Sequence, residues 1–104
     1  MATQIRLFIG HNVGEYGAWR DDEARDLILD WLKPLADYGW TLTNGTGIWK
    51  GQAERTTILE TLLEPTVADI VLDTISSNIE ALKTLLKQDV ILMTVQRGIT
   101  IALL

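Results

Sequence analysis

The chain has 104 residues, 9 Lys and Arg against 14 Asp and Glu for a net charge of −5 at pH 7, one His and no Cys. That length holds one domain, residues 1–104, around a single core. The absence of Cys excludes disulfides, Cys-based zinc sites, thiol nucleophiles and cysteine-ligated iron–sulfur clusters, and a lone His excludes a multi-His metal centre within one chain.

Thr3 to Gly10 reads as a strand, with Ile5, Leu7 and Ile9 on one face and Gln4, Arg6 and Phe8 on the other. The chain then loosens through Gly10-His11-Asn12-Val13-Gly14-Glu15-Tyr16-Gly17, where three glycines signal a loop. Ala24, Leu27, Ile28, Trp31, Leu35 and Tyr38 recur at helical spacing, which predicts a helix from about Trp19 to Tyr38. Asp21, Asp22 and Glu23 suit its positive end, and Gly39 suits its C-terminal cap. Pro34 interrupts that pattern and predicts a kink or a stop near Trp31–Lys33, then one more turn.

Trp40 to Lys50 reads as a second strand. Asn44-Gly45 is a hairpin signal there, but its flanks are short, so one irregular strand bulged at Asn44–Gly47 is the expectation. Lys50-Gly51-Gln52-Ala53 reads as a turn. Glu54 to Leu63 suits either strand or helix, with strand favoured by its Thr and Ile content. A second helix begins at Glu64-Pro65-Thr66, with Thr66 as the expected cap and Asp69 in the capping-box position. Val67, Ile70, Val71, Ile75, Ile79, Leu82 and Leu86 form its stripe, and it should end near Gln88. Asp89 to Gln96 is a further strand, apolar enough to need cover on both faces. Arg97-Gly98 suits a turn, and Ile99 to Leu104 suits a short extra edge strand.

This order gives an α+β fold of the ferredoxin-like type, β-α-β-β-α-β, with one antiparallel sheet and two helices on one face. The pattern resembles the small ferredoxin-like proteins that pair through their sheets, the dimeric α/β-barrel group. It also resembles an uncharacterised bacterial family with a Gly-x-Trp-x-Gly element, through Phe8, Gly10, Trp19, Gly47, Trp49, Gly51, Glu54 and Thr56. What these resemblances imply is the topology.

The first loop holds the densest set of reactive side chains, His11, Asn12, Glu15 and Tyr16, which suit a ligand clamp or an acid–base pair as well as an ordinary polar turn. Trp19 and Trp49 suit ring stacking as well as core filling, and the glycines beside Trp49 leave room for a partner. Lys50, Glu54 and Arg55 bracket the following turn and suit an anion or carboxylate as well as solvent. Asp21 and Asp22, with Glu23 or Asp26, have the donors for a divalent cation, but a helix-start role explains them better, so no metal is expected. No Walker loop, dinucleotide fingerprint or Gly-x-Ser-x-Gly element is present, and no Ser/His/Asp triad can be assembled from the sequence.

The ligand-binding set is therefore His11, Asn12, Glu15, Tyr16, Trp19, Trp49, Lys50 and Glu54, with no cofactor. A lone sheet with helices on one side leaves its other side needing cover, so the leading expectation is a small acidic homo-oligomeric binding module that pairs through sheet face or edge. Its further partner would be a small molecule or a protein segment. A cofactor-independent enzyme of the dimeric α/β-barrel type using His11, and a small inhibitor or decoy protein of a mobile element, stay open beside it. Acidity without a Lys/Arg cluster argues against nucleic acid. No apolar run approaches the ~18 residues of a membrane span. With no basic start leading into an apolar run, a cytoplasmic location is the expectation.

Overall fold

Strict alternation along the first strand sorts its side chains between two environments. In β1 (Ala2–Gly10), Thr3, Ile5, Leu7 and Ile9 are buried, while Gln4, Arg6 and Phe8 are half-exposed. The computed structural model describes residues 1–14 and 17–104. After β1 come α1 (Asp21–Leu32), a single 3-10 turn (Lys33–Leu35), β2 (Trp40–Trp49), β3 (Gln52–Leu63), α2 (Pro65–Leu86) and β4 (Leu92–Ile99). All neighbouring strands run antiparallel in the order β2-β3-β1-β4. This is the β-α-β-β-α-β arrangement expected from the sequence, with β4 as the C-terminal edge strand; residues 100–104 form no strand of their own.

The register separates the two faces. Ile5 stands between Thr61 and Val95, and Leu7 between Leu59 and Met93, on the face covered by α1 and α2. Ala24, Ile28 and Leu32 of α1 and Ala68, Val71, Ile75, Leu82 and Leu86 of α2 close the core over them. Full burial of side chains such as Ile28 or Leu59 stabilises the fold by roughly 1.5–3 kcal/mol each. The opposite face has no helix.

Several local expectations change. Trp19 precedes α1 rather than opening it, because Arg20 is the extended N-cap residue and its N–H donates to Glu23 Oε1 (3.0 Å). The stop at Leu32 and the extra turn carrying Pro34 follow from the proline, as expected, but Gly39 does not cap; Ala36 ends that turn. β2 is regular, with no bulge at Asn44–Gly47, since every residue from Trp40 to Trp49 pairs in register with β3. The hairpin instead turns at Lys50-Gly51, both with positive φ (49° and 77°), the backbone a two-residue turn of this type demands. Glu54–Leu63 is strand, inside β3. Thr66 does not cap α2; Glu64 is the N-cap residue and Pro65 occupies the first turn, where a missing N–H costs no helical bond. The helix ends at Leu86 because Lys87 turns left-handed (φ 55°). Ile70 lies outside the buried stripe, and β4 starts later than expected and is largely exposed rather than covered. Among the described residues no helix is long and apolar enough to cross a membrane.

Candidate functional site

The site region lies where the end of β1, the start of α1 and the β2–β3 ribbon meet. His11, the first residue after β1, extends the sheet ladder, its N–H donating to Arg55 O (2.9 Å) and its carbonyl accepting from Trp19 N–H (2.9 Å). Its side chain is 0% exposed, so it is no part of an open polar turn. Nε2 lies 2.7 Å from Thr57 Oγ1, and the Thr57 hydroxyl donates to Asn44 Oδ1 (2.9 Å). On the ring's other side, Nδ1 is 3.3 Å from Asp21 Oδ1 without a hydrogen bond, and among the described residues that buried nitrogen has no partner.

Arg55 pins Asp21 with two bonds, Nη2 to Oδ2 (2.7 Å) and Nε to Oδ1 (3.3 Å), and reaches Thr46 Oγ1 with Nη1 (3.3 Å). The Arg55 hydrogen bond holds the Asp21 carboxyl below the usual carboxylate range. Burial pushes the His11 imidazole below its ordinary value; Asp21 opposes that fall and Arg55 adds to it. Thr57, His11 and Asp21 thus stand in line, as a hydroxyl nucleophile, a base and an orienting acid would. Thr57 is nevertheless buried and its proton is committed to Asn44, so the line serves to hold the fold together. Among the described residues no group of three acidic or imidazole side chains is arranged to hold a metal.

The uncovered face carries a second feature. Counting along the register from the hairpin tip, Trp49 pairs with Gln52, Gly47 with Glu54, and Thr56 sits between Gly45 and Gly10. Ile58 and Phe8 then continue into Leu92, followed by Glu60, Arg6 and Thr94. Three glycines therefore leave the sheet bare around Glu54 and Thr56, between Trp49 at one end and an apolar belt at the other. The Glu54 carboxylate folds into the space above Gly10, where a Cβ would come within 2.6 Å of its oxygens. It is held there by the Asn12 N–H, which donates to Oε2 (3.1 Å). Gln88 Nε2 secures the same residue by donating to Asn12 O (2.8 Å).

Of the residues expected from the sequence, His11, Asn12, Trp19 and Glu54 come together. Trp19 is half-buried and donates from Nε1 to Leu86 O (2.9 Å), which makes it a brace between the loop and α2. Trp49 is 67% exposed on Glu54's face, nearer the tip, and Lys50 lies in the turn itself. Glu15 and Tyr16 lie outside the described residues. Arg55 makes an ion pair with Asp21 of its own chain. Sequence reasoning missed Gly10, Gly45, Thr56, Thr57 and Asn44 as members of these two clusters. The register of β1 with β3 and of β3 with β2 was the signal that would have joined them. Two surface depressions lie elsewhere, one of about 40 Å³ at Trp31, Pro34, Leu35, Thr74 and Asn78, the other of about 290 Å³ at Gly39, Thr41 and Glu60–Leu62. The first is too small for a ligand, and the second is at the lower edge of ligand-pocket size, roughly 300 Å³.

The fold and the open face define a small α+β domain, one four-stranded antiparallel sheet with two helices. Among solved structures, it is similar to a phage SAM lyase in complex with S-methyl-5'-thioadenosine, with a TM-score of 0.61 at 20% identity over 91% of this chain and 80% of that one. The apo state of a phage SAM lyase gives the same TM-score at 15% identity, over 90% and 78% of the two chains. A DUF3240 family protein from Shewanella baltica is similar with a TM-score of 0.58 at 16% identity, over 98% and 96%. No family model matches the chain, and no curated protein matches it. At such identities the likeness is one of fold.

Proposed function

We propose that this chain is a homo-oligomeric module that binds a small adenosyl-sulfur nucleoside, of the kind bound by the phage SAM lyase, on the open face of its sheet. One observation carries the reading: Glu54 is held by a backbone N–H over a glycine-floored strip between Trp49 and the belt of Phe8, Ile58 and Leu92. A bare strip of backbone admits a flat ring at close range. The indole supplies a stacking surface, and a fixed carboxylate accepts from ribose hydroxyls or attracts a sulfonium cation. A second copy of the chain is the natural cover for this face, since Trp49, Leu92 and Leu62 are 67%, 55% and 44% exposed. That copy would also turn an open strip into an enclosed pocket.

The likeness in fold to a lyase favours a second, enzymatic form of the same reading: a cofactor-independent lyase in which the carboxylate of S-adenosylmethionine displaces neutral S-methyl-5'-thioadenosine from its own chain, breaking the carbon–sulfur bond and leaving the amino-acid fragment as a lactone. Glu54, not the enclosed His11, would then be the group that touches substrate. Incubation of the purified chain with S-adenosylmethionine, followed by chromatography and mass spectrometry, tests this form. The expected result is S-methyl-5'-thioadenosine formed by the wild type and lost in Glu54→Gln. Product formed equally by Glu54→Gln contradicts the role of Glu54, and no product from the wild type contradicts the lyase form.

A further inference from the structure

The chain's single imidazole is enclosed one residue away from the backbone group that holds Glu54. The Thr57 hydroxyl gives its own proton to Asn44, so it accepts one from His11 Nε2–H. That places the proton of the neutral ring on Nε2 and leaves Nδ1 bare against the Asp21 carboxylate, 3.3 Å away. His11 N–H and C=O are both tied, to Arg55 O and Trp19 N–H, so the ring and the peptide that follows it move as one piece. The N–H of that peptide belongs to Asn12 and holds Glu54.

We infer that His11 is a positioning residue for Glu54: the imidazole, fixed between Thr57 and Asp21, sets the Asn12 N–H that keeps the Glu54 carboxylate over Gly10. The inference rests on the reading of Glu54 as the ligand-contacting group. It adds a proton dependence to that site. Proton uptake at Nδ1 draws the Asp21 carboxylate from its present position into a charge-assisted hydrogen bond, in competition with Arg55. Loosening Arg55 would release its bond to Thr46, and with it the tie between α1 and the β2–β3 ribbon. Among the described residues, the charged groups facing the ring are Asp21 from α1 and Arg55 and Glu54 from β3. Burial opposes the proton most strongly, so the change falls below the ordinary imidazole range near pH 6.5.

The test is NMR of the full chain with 15N-labelled His and 13C-carboxyl-labelled Glu, read without ligand. A single His makes the imidazole signals unambiguous. The expected neutral ring carries its proton on Nε2, and the Glu54 carboxyl signal shifts as His11 titrates below pH 6.5. In His11→Gln the donor to Thr57 is kept, so the Glu54 signal holds its neutral-pH position and loses that shift. In His11→Leu the signal moves at every pH and the Asn12 amide exchanges faster. A neutral ring protonated on Nδ1, or a Glu54 signal indifferent both to His11 titration and to His11→Leu, overturns the inference. If His11→Leu fails to fold, the wild-type titration together with Thr57→Val, which removes the acceptor, decides the same question.

Calorimetric binding of S-methyl-5'-thioadenosine is read separately. His11→Leu should weaken it about tenfold or more while His11→Gln stays close to wild type. A wild type that binds no nucleoside sinks the ligand reading and leaves the His11–Glu54 coupling to the NMR result.

Discussion

The two faces of this sheet are built from alternate residues of the same strands and obey different rules. On the covered face Ile5, Leu7, Ile9 and Leu59 are fully buried under α1 and α2. There the buried side chains are explained by what they pack against, and even the polar end, His11 with Thr57, Asn44, Asp21 and Arg55, is almost fully hydrogen-bonded. On the open face, one residue along in each strand, stand Phe8, Ile58 and Leu92, three glycines, and a carboxylate held in place by a backbone N–H. The difference separates residues that make the domain from residues that suit a partner or ligand.

The largest expected break of the contrast is Leu59→Ala against Ile58→Ala. The first opens a cavity in the core and should cost about 2–5 kcal/mol in urea denaturation at any protein concentration. The second should cost much less in dilute protein and show most of its effect as weaker self-association. Equal losses in both would mean that the open face is not a distinct surface. If the chain self-associates through this face as proposed, Leu92→Glu, on the edge strand and 55% exposed, should weaken that association while leaving the far-UV circular dichroism of the chain unchanged.

A smaller effect follows from pH. The unfolded His11 takes up its proton near pH 6.5, while burial holds the folded ring's pKa lower. Stability is therefore full above pH 6.5 and falls as the pH drops through that value toward the folded pKa. Asp21, also held low, adds a further loss in the carboxylate range. Urea midpoints at pH 7.5 and 5.5 should show the first decline in the wild type and a flatter profile in His11→Gln. A wild-type midpoint that rises on acidification would contradict the sign. Smallest in stability is Gly10→Ala. The three atoms nearest the added Cβ are the carboxyl end of Glu54, a side chain that can swing aside, so the fold should tolerate it while the displaced carboxylate weakens nucleoside binding.

The covered face was legible in the sequence because burial leaves a period: two in Thr3–Gly10, and three to four in Ala24–Leu35. Pro34 foretold its own helix stop for a local steric reason. The open face was harder to read, because its meaning lies in register. Gly45 and Gly47 read as a bulge and prove to be floor, since only pairing with β3 puts them beside Glu54 and Thr56. Thr57 was invisible as a partner of His11 because 46 residues separate them. The apolar run before Gln96 promised cover on both faces, and the chain alone provides little.

The most direct test of the central claim is native mass spectrometry of the untagged protein, with and without added S-methyl-5'-thioadenosine. The account predicts an oligomer that takes up the nucleoside in proportion to its copies. A bare monomer at high concentration, unchanged by the nucleoside, would contradict it.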